Sequence, residues 1–282
     1  MALNIAYYRN SKLTNTSSKY RFYDFVQKPI EIYVFVDPLC SECWSLEPYL
    51  KKLSIEYGRF FTIRPIISNH LQVVNSNQDR YHTVDKHHPA EHPVLFPCIS
   101  LAIKAAELQG TNAGKTFLRK VQENYFLKKH NVFDLKVLIH CAEDSKLDIQ
   151  EFKNDLSSIS AKNAFHSDLN VTNEMDVMDT PTIVFFNEQI EEQGIKISGL
   201  NSYETYVLIL KKMLQKDPIP SQKPPLEDFL TFHGVAAHRE ISIVYDWTAA
   251  ETERVMKKLQ LKQKVKKALA TNEVFWKYGQ RI

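Results

Sequence analysis

Glycine is scarce in this chain, with seven among 282 residues, and no GxGxxG run occurs. Dinucleotide-binding folds need those glycines to bring backbone against the pyrophosphate, so readings based on NAD or FAD fall away. The nearest approach to a phosphate loop is Gly110-Thr-Asn-Ala-Gly114-Lys115-Thr116, one residue short of the nucleotide-binding spacing. It follows an alanine-rich helical run rather than a strand, and a helix C-cap with its following turn accounts for the glycines. Long apolar runs are also missing. Nothing approaches the roughly 18 residues that a membrane span requires, and MALNIAYYRNSK lacks the apolar core of a secretion signal. The expectation is a cytoplasmic protein, where its four cysteines are not expected to form structural disulfides. Net charge is only +3, too little to argue for a nucleic-acid partner by itself.

What remains is ordinary for a globular protein: 44% apolar and 24% charged residues, over a length that suits one insertion-bearing domain or a main domain with an appendage. Residues 1–28 read as a polar and aromatic N-terminal extension. IEIYVFV (Ile30–Val36) is a continuous apolar, β-branched run, the pattern of a buried central strand. Beyond Asp37-Pro38, the positions Leu46, Tyr49, Leu50, Leu53 and Tyr57 repeat at helical spacing up to Gly58, with Pro48 expected to bend this helix rather than end it. FFTIRPII (Phe60–Ile67) is a second strand, and the short crossover implies a parallel βαβ pair.

A polar loop over residues 68–92 carries His70, His82, His87, His88 and His92. The periodicity is then helical from about 93 to 169, roughly four helices, with Asn131 and Asp148 as expected N-caps. Strand character resumes at Thr180-Pro181, with a hairpin partner near Ile190–Ser198 and a helix over Tyr203–Leu214. Asp217–Pro225 holds four prolines in nine residues and reads as a stiff linker. Residues 226–282 are expected to form a small C-terminal α+β domain: a helix near Leu226–Phe232, a strand ISIVYDW, and two further helical stretches.

Cys40-Ser-Glu-Cys43 lies between the first strand and its helix. A C-x-x-C there is the thioredoxin-like arrangement: the first sulfur sits at a helix N-terminus, where unpaired N–H groups favour thiolate, and the second is one turn on. Thr180-Pro181 before a later strand strengthens that reading, since in thioredoxin-like folds this proline is cis and faces the sulfurs. The expected fold is α/β and thioredoxin-like, over residues 29–216. The helical block between the second strand and Pro181 resembles the insertion of the DsbA subclass. Two features oppose efficient disulfide exchange. Val34 stands where thioredoxins and DsbA proteins carry a buried acid, and Glu42 puts an anion beside the thiolate.

DPLCSECWSLEPYLKKLSIEYGRFF, together with the DsbA-like insertion, the Thr-Pro turn and the C-terminal segment, resembles the SpxH (YjbH) family. Ser41 departs from the proline often found there. The resemblance implies a non-enzymatic cytoplasmic adapter that delivers the redox-stress regulator Spx to the ClpXP protease. Two alternatives stand beside it. One is a cytosolic thiol–disulfide oxidoreductase with Cys40 as nucleophile and Cys43 resolving. The other is a thiol or zinc sensor whose state controls client binding. Cys40 and Cys43 with two of the loop histidines, His87 and His88 for instance, could complete a tetrahedral zinc site, although their spacing matches no zinc finger. No other cofactor is implied.

Cys98 and Cys141 fall on apolar helical faces and read as core. From Arg254 to Lys267, seven residues are Lys or Arg and none is acidic. The C-terminal segment has enough helices for a winged-helix-like unit, but no turn signature marks a recognition helix. A solvated face or an electrostatic dock for an acidic partner is the better reading than nucleic acid. Arg254, Lys257, Lys258 and Trp276 are the candidate partner-binding residues.

Overall fold

In the computed structural model of the chain, which describes residues 5–8, 28–68, 99–187, 194–270 and 273–279, the strands fall into two sheets. The first contains β1 (Ile5–Tyr8), β2 (Ile30–Val36), β3 (Phe61–Ile67), β4 (Thr182–Asn187) and β5 (Gly194–Ser198), in the order β1-β5-β4-β2-β3. β5 runs antiparallel to both its neighbours, with Ile197 opposite Ile5 on one side and Ile183 on the other. At the start of β2, Ile30 N–H donates to Phe60 O at 3.2 Å; at its end, Ser68 N–H donates to Val36 O at 2.9 Å. The starts and ends of β2 and β3 therefore coincide, the parallel pair that the short crossover required.

That crossover is α1 (Ser41–Tyr57), which continues through Pro48. Leu46, Leu50, Leu53 and Tyr57 form its buried stripe. Gly58 ends it with N–H to Ser54 O, and a Cβ there would lie 2.3 Å from that oxygen, so only glycine fits. Between β3 and β4 come α2 (Ile99–Leu108), α3 (Thr111–Gln122), a π-helical turn at Glu123–Leu127, α4 (Leu135–Asp144), α5 (Ile149–Asp155) and α6 (Ile159–Glu174).

Asp148 caps α5 as expected, accepting from Glu151 N–H. The cap of α4 is Asp134 rather than Asn131, whose Oδ1 instead accepts Phe133 N–H in the preceding turn. Gly110, at φ +131°, makes the turn between α2 and α3. Gly114 lies inside α3 instead of in that turn; a Cβ there would come within 2.9 Å of Glu107 Cβ. A turn at Gly110 and helix packing at Gly114, not phosphate, explain the glycine pair.

After β5 come α7 (Tyr203–Leu214), α8 (Leu226–His233), β6 (Val235–Ala237), α9 (His238–Tyr245), α10 (Ala249–Leu261), β7 (Val265–Ala270) and β8 (Glu273–Tyr278). The stretch ISIVYDW is helical as far as Tyr245 and then turns, instead of forming the strand its β-branched residues predicted. Ile241 and Val244, three residues apart, are both buried against a core of Phe229, Leu230, Met256, Leu259 and Trp276, and that packing overrides propensity. The second sheet, β6-β8-β7, is antiparallel throughout.

The chain divides into two compact units. One gathers the described residues up to Val34, Ser45–Arg64 and everything from Pro181 on; the other holds Phe35–Trp44 and the described part of Pro65–Thr180. In the first unit, the C-terminal elements share ground with the body of α1. Ile55 packs against their core, Lys51 pairs with Glu240, and Lys52 and Lys223 both pair with Asp246. The proline-rich segment is bonded along the way: Ser221 N–H donates to Glu56 O at 2.7 Å, Arg59 donates to Ile219 O, and Tyr245 OH donates to Pro224 O. Among the described residues, no helix is long and apolar enough to cross a membrane.

Candidate functional site

The turn from β2 into α1 is built by Asp37, which accepts Leu39 N–H on Oδ1 at 2.9 Å and Cys40 N–H on its carbonyl at 3.1 Å. The carbonyl of Cys40 then accepts Trp44 N–H, which makes Cys40 the N-cap of α1. Its sulfur does what a capping hydroxyl usually does, accepting Cys43 N–H at 3.3 Å. Any negative charge on Cys40 Sγ is thus met by a backbone donor and by the positive end of a 17-residue helix. The same sulfur donates to the carbonyl of Thr180 at 3.7 Å, so the motif meets the residue immediately before Pro181.

The two thiols are unequal. Cys40 is half-buried, whereas Cys43 is buried and its thiol is pushed well above the ordinary range, first by burial and then by the neighbouring Cys40. Position 34, six residues before Cys40, holds a buried valine, and the nearby Asp37 has its Oδ1 engaged by Leu39. At mildly alkaline pH, iodoacetamide is expected to label Cys40 while Cys43 and Cys141 stay unmodified until the protein is denatured. Peptide mass spectrometry reads this directly, and equal labelling rates at Cys40 and Cys43 would refute the asymmetry. Cys141 is core, as expected: Asn124 Nδ2 donates to its sulfur at 3.2 Å, and burial pushes its thiol up to about 11. Cys98 lies outside the described residues.

Beside the motif, Trp44 stacks on Phe126, with ring centres 5.4 Å apart, and the Arg119 guanidinium lies 4.3 Å over the Trp44 ring. Phe126 and its edge-on neighbour Tyr125 come from the π-helical turn. Helical spacing in the sequence runs along a row of Phe117, Val121 and Tyr125 and singles out neither Phe126 nor Arg119. A π turn inserts an extra residue into the helical period, so the aromatic that reaches Trp44 is one position past the row. The adjacent Tyr125-Phe126 pair was the available signal.

Of the zinc candidates, Cys40 and Cys43 are close together, but His87, His88 and the other loop histidines lie outside the described residues. Among the described residues, no group of three or more His, Cys, Asp or Glu side chains could hold a metal ion.

Arg254, Lys257 and Lys258 are all exposed on α10. Trp276 must be withdrawn from the candidate partner surface: it is fully buried, pointing inward from the central strand β8, with Lys267 Nζ 5.3 Å from its ring. Trp276 heads the largest fully buried side chains among the described residues and fills the core that Phe229, Leu230 and Met256 share.

A family model described as thioredoxin matches residues 33–208. The ClpXP adapter protein SpxH of Bacillus subtilis (strain 168) is 44% identical over 268 residues, covering 89% of this chain and 90% of its own length. A protein of the same description from Halalkalibacterium halodurans is 42% identical, with 89% of this chain and 90% of that protein covered. Among solved structures, a candidate protein disulfide isomerase from Nitrosomonas europaea is similar with a TM-score of 0.52 at 18% identity, over 66% of this chain and 98% of its own. A probable DsbA oxidoreductase from Streptomyces coelicolor gives 0.50 at 14%, over 69% and 94%. At such identities the structures establish the thioredoxin-like, DsbA-like fold and nothing about chemistry.

Proposed function

The chain belongs to the SpxH family, and we propose that it acts in the cytoplasm as an adapter that binds Spx and promotes its degradation by ClpXP. One observation carries the reading. The thioredoxin match ends at residue 208, yet similarity to the SpxH proteins covers 89% of the chain and so must extend into the C-terminal unit. An oxidoreductase of this fold has no need of that unit, whereas an adapter needs surface. Delivery requires no covalent step: it suffices that the adapter bind the degradation-competent conformer of the client more tightly than other conformers.

Spx degradation by purified ClpXP, with and without this protein, tests the reading. Acceleration by the wild type is expected, and its absence would overturn the adapter role. A Cys40→Ser/Cys43→Ser variant is expected to accelerate degradation as well as the wild type does. A loss of more than about tenfold would instead make the thiols obligatory, as would fit a redox or zinc switch.

The capping of Cys40 Sγ by Cys43 N–H favours a second reading, weak thiol–disulfide exchange started by Cys40. The buried, high-pKa Cys43 would resolve a mixed disulfide slowly, so insulin reduction should be far slower than with thioredoxin. Zinc content of the purified protein, compared between wild type and the double variant, decides whether Cys40 and Cys43 also hold a metal.

A further inference from the structure

The C-terminal elements follow the order helix, strand, helix, helix, strand, strand: α8, β6, α9, α10, β7, β8. Three antiparallel strands and a three-residue turn, Asp246-Trp247-Thr248, between α9 and α10 complete a winged-helix arrangement. In such units the second helix of the pair is the one presented outward. Here α10 turns Thr252, Met256 and Leu259 into the core. Its opposite face carries Ala250, Arg254, Lys257, Lys258 and Leu261, all exposed and spaced as one helical stripe. Leu261, at the end of the stripe, is 85% exposed.

The carboxylates around this face are already engaged. Glu240 and Asp246 turn toward Lys51 and Lys52 of α1. Glu227 holds Lys264 at 2.6 Å, and Glu253 holds Lys267 at 2.8 Å. Glu251 caps its own helix through Thr248, accepting both N–H and Oγ–H. Lys257 reaches Glu253 at 3.5 Å. Among the described residues, Lys258 and Lys262 form no ion pair with a carboxylate, and Arg254 touches none directly, although its charge adds to the Thr248 hydrogen bonds in holding the Glu251 carboxyl below its ordinary range. Charge has been sorted: acids lie inward or on the flanks, and cations line the outer face with an apolar residue at one end.

We propose that this outer face of α10 is the docking surface for an acidic face of the client protein. Arg254 and Lys258 meet its carboxylates, and Leu261 anchors an apolar side chain. The proposal rests on the adapter reading. A protein partner fits better than DNA because the first turn of α10, where a recognition helix places its base-reading donors, offers only Ala249, Ala250 and Glu251. A carboxylate there repels phosphate, and an exposed leucine finds no use along a DNA backbone.

The test uses the full chain and purified Spx, with affinity measured over a salt series. Arg254→Glu/Lys258→Glu is expected to weaken binding about tenfold or more at low salt, with a shallower salt dependence than wild type. Arg254→Gln/Lys258→Gln should fall between, and Leu261→Ser should weaken binding without changing the salt dependence. Thermal unfolding should be unchanged throughout, because these side chains lie outside the core. Equal affinity of the wild type and the charge-reversed variant would overturn the proposal while leaving the adapter reading intact. Binding of a short DNA duplex by wild type that the reversed variant loses would overturn it in favour of nucleic acid. Failure of the wild type to bind Spx at all would overturn the adapter reading, and this proposal with it.

Discussion

Glu240→Ala is expected to cost about 3–5 kcal/mol of stability. The side chain is 2% exposed and does two things at once. Its Oε1 accepts from Lys51 Nζ at 2.7 Å, and its Oε2 accepts Ala237 N–H at 2.8 Å at the start of α9. Alanine would strip that acceptor from a buried backbone donor and take the closest counter-charge from an ammonium that is itself mostly buried. Glu240→Gln keeps an acceptor for Ala237 and loses only the charge, so it should fall between alanine and wild type. Urea unfolding measures both. A cost below about 1 kcal/mol for alanine would show that the C-terminal elements do not depend on this contact with α1.

Asp168→Ala should carry a penalty of the same order, about 3–5 kcal/mol, in the other unit. Asp168 and Lys104 are both 3% exposed and lie 2.5 Å apart; the carboxylate also accepts Ile67 N–H at 2.8 Å, which ties the end of β3 to α2 and α6. Burial raises the Asp168 pKa, against the pull of Lys104 and the Ile67 donor. The sign then follows from linkage. With the folded pKa above the unfolded one, this group's contribution to stability is greatest below the unfolded pKa and falls as pH rises through the folded value. Desolvation thus offsets the attraction between Lys104 and Asp168, and the pair positions β3 rather than adding net stability over an apolar filling. Lys104→Met/Asp168→Leu should accordingly cost much less than Asp168→Ala alone. If the double variant unfolds as readily as the single one, the pair is a net stabiliser and this account is wrong.

Much of the fold could be read without coordinates wherever one local signal sufficed. Ile30–Val36 is a strand because its run is continuous and β-branched, and α1 is a helix because its apolar residues repeat every three to four positions. Asp148 could be recognised as a cap because capping is settled by residues three apart. The misreadings arose where distant packing outweighed local preference. Ile241–Trp247 has the composition of a strand, but Ile241–Tyr245 is held helical by a core formed with Met256 and Trp276. Trp276 had the profile of an interface aromatic, yet it became that core's centre. Phe126 reached Trp44 through a π turn that no periodic template contains.

The sequence by itself determined the chemistry on offer: two sulfurs one helical turn apart after a central strand, no acid at position 34, no phosphate cradle, and a run of cations near the C-terminus. Those are properties of residue type and short spacing. Only the tertiary structure decided how each is used. It made one sulfur a half-exposed cap and the other a buried thiol, because burial depends on what distant segments cover. It also set Glu240, Asp246, Glu227 and Glu253 against lysines while leaving Arg254 and Lys258 facing solvent. A charge's partner is fixed by position in space, and a linear count of +3 holds no trace of that sorting.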